Sequence, residues 1–465
     1  MKKILSLLTA AALSLIPAAP SAASAESPEM RDISTMELVR DMGIGINLGN
    51  TMESAGDWIA QWGDGTVKSY ETAWGSPVIT QSMIQGYADE GFGVVRIPVA
   101  WSNMMGDNYT ISSDYMDRVK QLVTWTIDAD MYAIINIHWD NGWVNKFPEN
   151  KSENMTRYTR MWEQICEGFK DYDDHLMFES QNEELGWESL WNRWGGTNGK
   201  DESYALVNEI NQQFVNVVRN SGGNNPQRHL LISGYNTDIT LTCDSMFKMP
   251  SDPAGRCAVS VHYYTPAGFA ILEEDADWAK MRSTWGTDAD FAELNQQMDM
   301  LKSTFIDKGV PVIIGEYGCP IKNKEKESVR LFLSSVCKAA YDRHICPVMW
   351  DVTGAQYDRS ACKMSDQVLM EELRSIPEPK SGPVENTVWG DADGDGTVMM
   401  NDVVLIMQSI ANADKYGING TDEKHITEKG SDAANVHDRA AGLLTVQDAL
   451  EVQRLLLELI PAFEF

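Results

Sequence analysis

Positive charge is in short supply in this sequence: 38 Lys and Arg stand against 68 Asp and Glu, a formal net charge of -30. Such an excess of carboxylates repels phosphate backbones and anionic headgroups, which excludes nucleic acid and acidic membrane surfaces as partners. Neutral molecules, cations and basic protein surfaces remain, and uncharged sugars fit well. Long apolar runs are missing too. The run from residue 4 to residue 16 falls short of the roughly 20 residues that cross a bilayer and is closed by Pro17 and Pro20. Cysteine is sparse, and none of the seven falls in a CxxC or zinc-like spacing. An odd count leaves at least one unpaired. Buried free thiols acting as small apolar residues are the expectation, with Cys243 and Cys257 the one pair worth testing as a disulfide.

What is present begins with Lys2 and Lys3 ahead of that short apolar run, then Ala23-Ser24-Ala25. This is the pattern of a secretory signal cut before Glu26, so residues 1–25 are expected to be a leader and the mature protein extracellular. Residues 26–376 read as one large domain, and 377–387, rich in Pro, Gly and polar residues, as a linker. Residues 388–465 read as a second, small unit.

Within the large domain, short apolar runs alternate with longer segments of helical period. The runs are IGINL (44–48), VVRIPV (94–99), AIINI (133–137), LMFES (176–180), LLIS (230–233), AVSV (258–261), VIIG (312–315) and PVMW (347–350). DYMDRVKQLVTWTIDA after Ser113 and SVRLFLSSVCKAA before Tyr341 carry apolar residues every three or four positions. Strand, helix, strand repeated through eight runs predicts an α/β fold, a closed (β/α)8 TIM barrel, with the site at the C-terminal ends of the strands.

Two of those ends carry glutamates in polar company: Asn182-Glu183 after the fourth run and Glu316 after the seventh. Cleaving a glycosidic bond takes one carboxyl to protonate the leaving oxygen and a second to attack the anomeric carbon or activate water. Facing strand ends supply such a pair. Strand alternation turns Glu184 away from Glu183 and makes Glu183 the better placed, while periodicity leaves Glu179 open.

NLGNT (47–51), ETAWGSP (71–77), VVRIPVAW (94–101), NIHW (136–139), FESQNE (178–183), VHYYTP (261–266), IIGEYG (313–318) and VMWD (348–351) resemble, in order, the motifs of glycoside hydrolase family 5, the retaining cellulase family. The resemblance implies Glu183 as acid/base, Glu316 as nucleophile and Arg96 as the cation paired with the nucleophile. It implies Asn182 on the sugar 2-hydroxyl, His138, His262 and Tyr264 orienting carboxylates and sugar, and Trp350 beneath the ring at the cleavage point. The family usually has Pro after Asn-Glu. Glu184 stands there instead, where it would either crowd Glu183 or, the expectation here, point into solvent. Trp58, Trp62, Trp74, Trp139, Trp143, Trp187, Trp191 and Trp194 follow strands, and about half of them are expected to stack on pyranose faces.

In the small unit, DADGDGTVMMND (391–402) places Asp at loop positions 1, 3, 5 and 12 with Gly at 6, the arrangement of a calcium loop. Asp391, Asp393, Asp395 and Asp402 are the expected side-chain ligands of Ca2+, with Thr397 giving its backbone carbonyl. VVLIMQSI follows, and QDALEVQRLL repeats the pattern further along. Duplicated and lacking a helix before its loop, the tail resembles an all-α dockerin, which implies a cohesin partner on a cellulosome scaffold, at the cell surface. Met400-Asn401 and Val446-Gln447 are the positions where dockerins choose that partner. Counted back from Asp448, the second loop keeps Gly442 but has His437, Arg439 and Ala441 at ligand positions; Asn435 or Asp438 would serve only if the loop were longer.

The function expected is therefore a secreted retaining endo-β-1,4-glucanase docked to a scaffold, needing no cofactor for catalysis. Alternatives are a mannanase, xylanase or xyloglucanase of the same family, or a non-catalytic polysaccharide-binding component. The last would not need both Glu183 and Glu316. A calcium-sensing scaffold protein is disfavoured because the calcium loop is confined to the tail.

Overall fold

The structure, a computed structural model, describes residues 30–183, 190–191, 199–376, 388–437, 444–457, 459–460 and 463. The expected leader and linker lie outside those residues. Eight parallel strands close into a barrel in chain order: β1 (Gly45–Asn47), β2 (Val94–Ile97), β3 (Tyr132–Asn136), β4 (Leu176–Glu179), β5 (Leu230–Asp238), β6 (Cys257–Tyr263), β7 (Val312–Tyr317) and β8 (Cys346–Met349). Each of the eight apolar runs supplies one strand, and β8 pairs with β1 to complete the ring. Only β5 runs well past its predicted end, through a register shift between Ser233 and Asp238.

Alternation along the strands separates two apolar layers. Val95, Ile97, Ala133, Ile135, Phe178, Ile232, Val259 and Ile314 belong to the cluster that contacts the surrounding helices. Val94, Ile134, Met177, Leu231, Ala258, Ile313 and Val348 form a separate cluster with Leu38, Val39 and Met42. The helix Thr35–Asp41, capped by Ser34, thus lends its apolar face to the barrel interior. The predicted helices appear as Ser113–Asp128 and Lys326–Tyr341. The first buries Tyr115, Met116, Val119, Leu122, Val123 and Thr126 on one stripe, as a helix on a sheet must.

All seven cysteines are free thiols, so Cys243 and Cys257 are not joined. The thiols face different partners, Cys257 Sγ turned to Asp252 Oδ2 (3.3 Å) and Cys243 Sγ to the Met300 carbonyl (3.8 Å). Among the described residues no helix is long and apolar enough to cross a membrane.

The tail has its own small core of Ala392, Val403, Leu405, Ile406, Ile426, Ala434, Val436, Ala449 and Val452. Its two repeats supply the helices Met400–Ala411 and Val446–Leu456, which pack on each other. Asp402 accepts hydrogen bonds from the backbone N–H of Ala392, Asp393 and Met399, and Asp448 accepts the matching set from Val436, His437 and Thr445. The span from Ala392 to Asp402 is 10 residues and that from Val436 to Asp448 is 12. The second loop is longer than the first, which corrects the count made from Asp448: Asn435, not His437, takes the place of Asp391. Asp438, Arg439, Ala441 and Gly442 lie outside the described residues.

Candidate active site

Inside the barrel, the residue two steps beyond the apolar layer is polar on strand after strand: Asn47 on β1, Arg96 on β2, Asn136 on β3, Glu179 on β4 and Ser260 on β6, all buried. Arg96 organises them. Its Nη1 donates to Glu316 Oε1 (2.7 Å) and Asn47 Oδ1 (3.0 Å), its Nη2 to Asn182 Oδ1 (2.9 Å), and its Nε to Glu179 Oε2 (2.7 Å). One guanidinium therefore ties four strands together, a use to which its planar fork of donors is suited.

Strict alternation would place Glu316 on the same face as Ile314, outside the barrel. The register between β6 and β7 shifts instead, from Val261 opposite Ile314 to His262 opposite Glu316. Gly315 is the extra residue, and this irregularity turns Glu316 inward. A Cβ at Gly315 would lie 3.0 Å from Ser260 Oγ and 3.4 Å from His262 Nε2, so the position has little room for a side chain.

Glu183 enters from the end of β4, its carbonyl held by Asn236 Nδ2 and its carboxylate Oε2 2.9 Å from His262 Nδ1. The same Nδ1 lies 3.6 Å from Glu316 Oε2. One carboxylate oxygen each from Glu183 and Glu316 and a ring nitrogen of His262 all fall within 4.8 Å of one another. The two carboxylates differ in surroundings: the Glu183 side chain is 34% exposed and that of Glu316 only 7%.

Tyr264 donates its hydroxyl to Glu316 Oε2 at 2.9 Å. Burial, then Glu316 and Glu183, hold its phenol well above the ordinary range, so it stays a proton-bearing donor. His138 is held well below the usual imidazole range by burial, then by Arg96 and His262, and is neutral. Its ring stacks on Trp350 at 6.0 Å between centroids and 6° between planes. Gly49 permits the approach of Trp350, since a Cβ there would be 3.0 Å from the indole.

The structure thus brings together Glu183, Glu316, Arg96, Asn182, His138, His262, Tyr264 and Trp350. Glu179, left open by periodicity, is set apart from the cleft below Arg96. Asn47, Asn136 and Ser260 were not singled out from the sequence; their signal was a small polar residue at an inward position of an otherwise apolar strand. Of the tryptophans, Trp143 is structural: it is buried, donates to Asp140 Oδ2 (2.6 Å) and lies under Arg157. Trp191 packs against the core beside Tyr204 and Lys200. Trp58, Trp62 and Trp139 are exposed, and Trp74 lies 6.2 Å from Trp139. Glu184, Trp187 and Trp194 lie outside the described residues.

In the tail, carboxylate oxygens of Asp391, Asp393 and Asp395 lie within 4.8 Å of one another, a hard, all-oxygen donor set that fits Ca2+. Gly394 and Gly396 take left-handed backbone and point their N–H groups at Asp391. Asp402 is not brought to this cluster, because both its oxygens accept backbone N–H groups at the start of the helix it caps. Thr397 folds back on Asp395, donating its N–H (2.9 Å) and hydroxyl (2.7 Å) to Oδ1.

Compared with known proteins, residues 52–356 match the family described as cellulase (glycosyl hydrolase family 5). The chain is 35% identical to a xyloglucan-specific endo-β-1,4-glucanase of Bacteroides ovatus over 74% of this chain and 70% of that protein. It is 34% identical to endoglucanase B of Clostridium cellulovorans over 71% and 70%. Among solved structures, a broad-specificity endoglucanase from an uncultured bovine rumen ciliate aligns with TM-score 0.67 and 34% identity, covering 74% of this chain and 98% of that one.

Proposed function

The chain belongs to glycosyl hydrolase family 5 and is a glycoside hydrolase of the endo-β-1,4-glucanase kind; from that premise we propose that it acts by retaining double displacement, with Glu183 as general acid/base and Glu316 as nucleophile. The observation that carries this reading is the separation of the two carboxylates. Their oxygens come within 4.8 Å, near the 5–5.5 Å of retaining enzymes and well under the roughly 6.5–9.5 Å that an inverting pair keeps for water.

Glu183, the more exposed of the pair, gives its proton to the glycosidic oxygen while Glu316 bonds to the anomeric carbon and the leaving sugar departs. Glu183 then takes a proton from water as that water displaces Glu316. Arg96 and Tyr264 hold one oxygen each of Glu316, fixing the direction of attack. Asn182, whose Oδ1 is held by Arg96, bonds the sugar 2-hydroxyl, and Trp350 with His138 floors the reacting ring. Replacing Glu316 with Gln should abolish turnover and leave oligosaccharide binding in place. Hydrolysis surviving that change would show the mechanism to be wrong.

The preferred backbone is cellulose or a related β-glucan. Xyloglucan is a second reading, favoured by the likeness to the Bacteroides ovatus protein. Rates on carboxymethylcellulose, lichenan, xyloglucan, glucomannan and xylan would separate them. Residues 1–25 direct export, and the tail is a dockerin in which Asp391, Asp393 and Asp395 hold Ca2+. Its helices carry exposed apolar residues, Met400, Val404 and Met407 on one and Val446 and Leu450 on the other, with Leu457 just past the end of the second, which suit a cohesin of a cellulosome scaffold. Calcium-dependent binding to a cohesin panel tests this, and loss of every interaction with calcium present would remove the docking role.

A further inference from the structure

We infer that Glu179, one layer below the cleft, is a positioning residue for the nucleophile: it clamps the back edge of the Arg96 guanidinium so that the opposite edge meets Glu316 and Asn182. The inference rests on Glu316 being the nucleophile.

Glu179 is fully buried, and its donors come from three other strands. Oε2 accepts from Arg96 Nε (2.7 Å) on β2 and Asn136 Nδ2 (3.0 Å) on β3; Oε1 accepts from Ser260 Oγ (2.7 Å) on β6. Two residues earlier on the same face of β4 stands Met177, in the apolar layer. A place that needed only filling would take another such side chain, because burying a carboxylate is costly unless it is paired. The chain has instead placed a charge there with three donors to hold it.

Its effect on the cleft follows from the geometry of Arg96. A guanidinium is planar, so fixing Nε fixes the directions of Nη1 and Nη2. These are the atoms that reach Glu316 Oε1, Asn47 Oδ1 and Asn182 Oδ1. Glu179 and Glu316 also divide a single positive charge between them, each at 2.7 Å. The other ionisable groups around this cluster are Glu183, His138, His262 and Tyr264, and its remaining neighbours Asn47, Asn136, Asn182 and Ser260 are neutral. Taking away the Glu179 charge gives Arg96 over to Glu316, which then holds its negative charge more tightly and attacks carbon less readily. With one negative charge fewer nearby, both limbs of the pH–rate profile move to lower pH.

Glu179→Gln weakens the clamp without emptying the place: the charge-assisted bond to Arg96 becomes a weaker neutral one, while the amide oxygen can still accept from Arg96 and Asn136 and its NH2 can donate to Ser260 Oγ. Steady-state kinetics of the full-length variant on an aryl β-cellotrioside should show kcat lowered on the order of tenfold or more with KM changed by no more than about twofold. The pH limbs of kcat/KM should fall together. Wild-type kcat with unmoved limbs overturns the inference. So does a lower melting temperature with kcat and limbs unchanged, which would make Glu179 a fold residue only. If E179Q does not melt cooperatively, Ser260→Ala decides, because it loosens Oε1 and keeps the charge: a fall in kcat at constant KM supports the inference and wild-type kcat overturns it. Glu316→Gln run alongside keeps the two readings apart. An active E316Q removes the nucleophile assignment, whereas an inactive E316Q beside a wild-type-like E179Q removes only the positioning role.

Discussion

Glu53 and Asp351 follow the ends of β1 and β8, both buried and each accepting two backbone N–H groups, Glu53 from Asn50 and Thr51 and Asp351 from Gln356 and Tyr357. Burial pushes each carboxyl up to about 7, and the backbone donors and nearby Arg359 only partly offset it. Asp351 Oδ2 meets no donor, so a charge on this carboxyl is offset only by the two N–H groups at Oδ1 and by Arg359. Because the folded state holds these protons more tightly than the unfolded chain, their contribution to stability is full below the ordinary carboxylate range and is lost as pH rises through about 7. Asp366 acts in the opposite sense: hydrogen bonds from Arg330 hold it at about 2, so its contribution is present above the ordinary range and disappears as pH falls through 2. The melting temperature should therefore rise between pH 8 and pH 5 and drop again below pH 3. Each buried carboxyl adds a slope of up to about 1.4 kcal/mol per pH unit in its window. Asp351→Asn should flatten the rise between pH 5 and pH 8, and parallel wild-type and variant curves would refute the assignment of that slope to Asp351.

At the scale of one strand, β7 shows what alternation predicts and where it stops. All eight strands were legible in the sequence because each is an apolar run bounded by polar turns, and the helix Ser113–Asp128 because its stripe recurs with helical period. Glu183 was legible too, lying at a strand end beside Asn182. The direction of Glu316 was not, since alternation from Ile313 turns it outward and only the pairing of β7 with β6 reverses it. Nor could the sequence tell a buried ion-paired Glu179 from a catalytic one, because the donors that decide it come from β2, β3 and β6. The irregularity at Gly315 makes a test. A methyl group there would press on Ser260 Oγ at 3.0 Å, His262 Nε2 at 3.4 Å and Glu179 Oε1 at 3.5 Å. Gly315→Ala should cost about 1–3 kcal/mol of stability by overpacking and lower kcat on the order of a hundredfold by displacing Glu316. A variant with wild-type kcat would show that the role proposed for Glu316 tolerates movement of its strand.

For the whole molecule, the excess of negative charge has different consequences in the two cores. In the barrel, Arg96 meets the carboxylates of Glu179 and Glu316 at 2.7 Å each, and His262 Nδ1 lies 2.9 Å from that of Glu183. In the tail, Asp391, Asp393 and Asp395 crowd together, and among the described residues their hydrogen-bond donors are backbone N–H groups, Thr397 and Asn401, with no Lys or Arg. Mutual repulsion there opposes folding, and the calcium proposed for this loop would offset it. Calcium that binds only the folded tail stabilises it by about 2.7 kcal/mol when its concentration is a hundred times the dissociation constant. Calorimetry of the full chain should then resolve two transitions. Removing calcium with a chelator should lower the smaller one, while the larger transition and the rate of glucan hydrolysis stay where they were. Asp391→Asn should reproduce the chelator's effect with calcium present. If both transitions moved together, or hydrolysis fell with the tail, the separation of the two cores into independent units would be wrong.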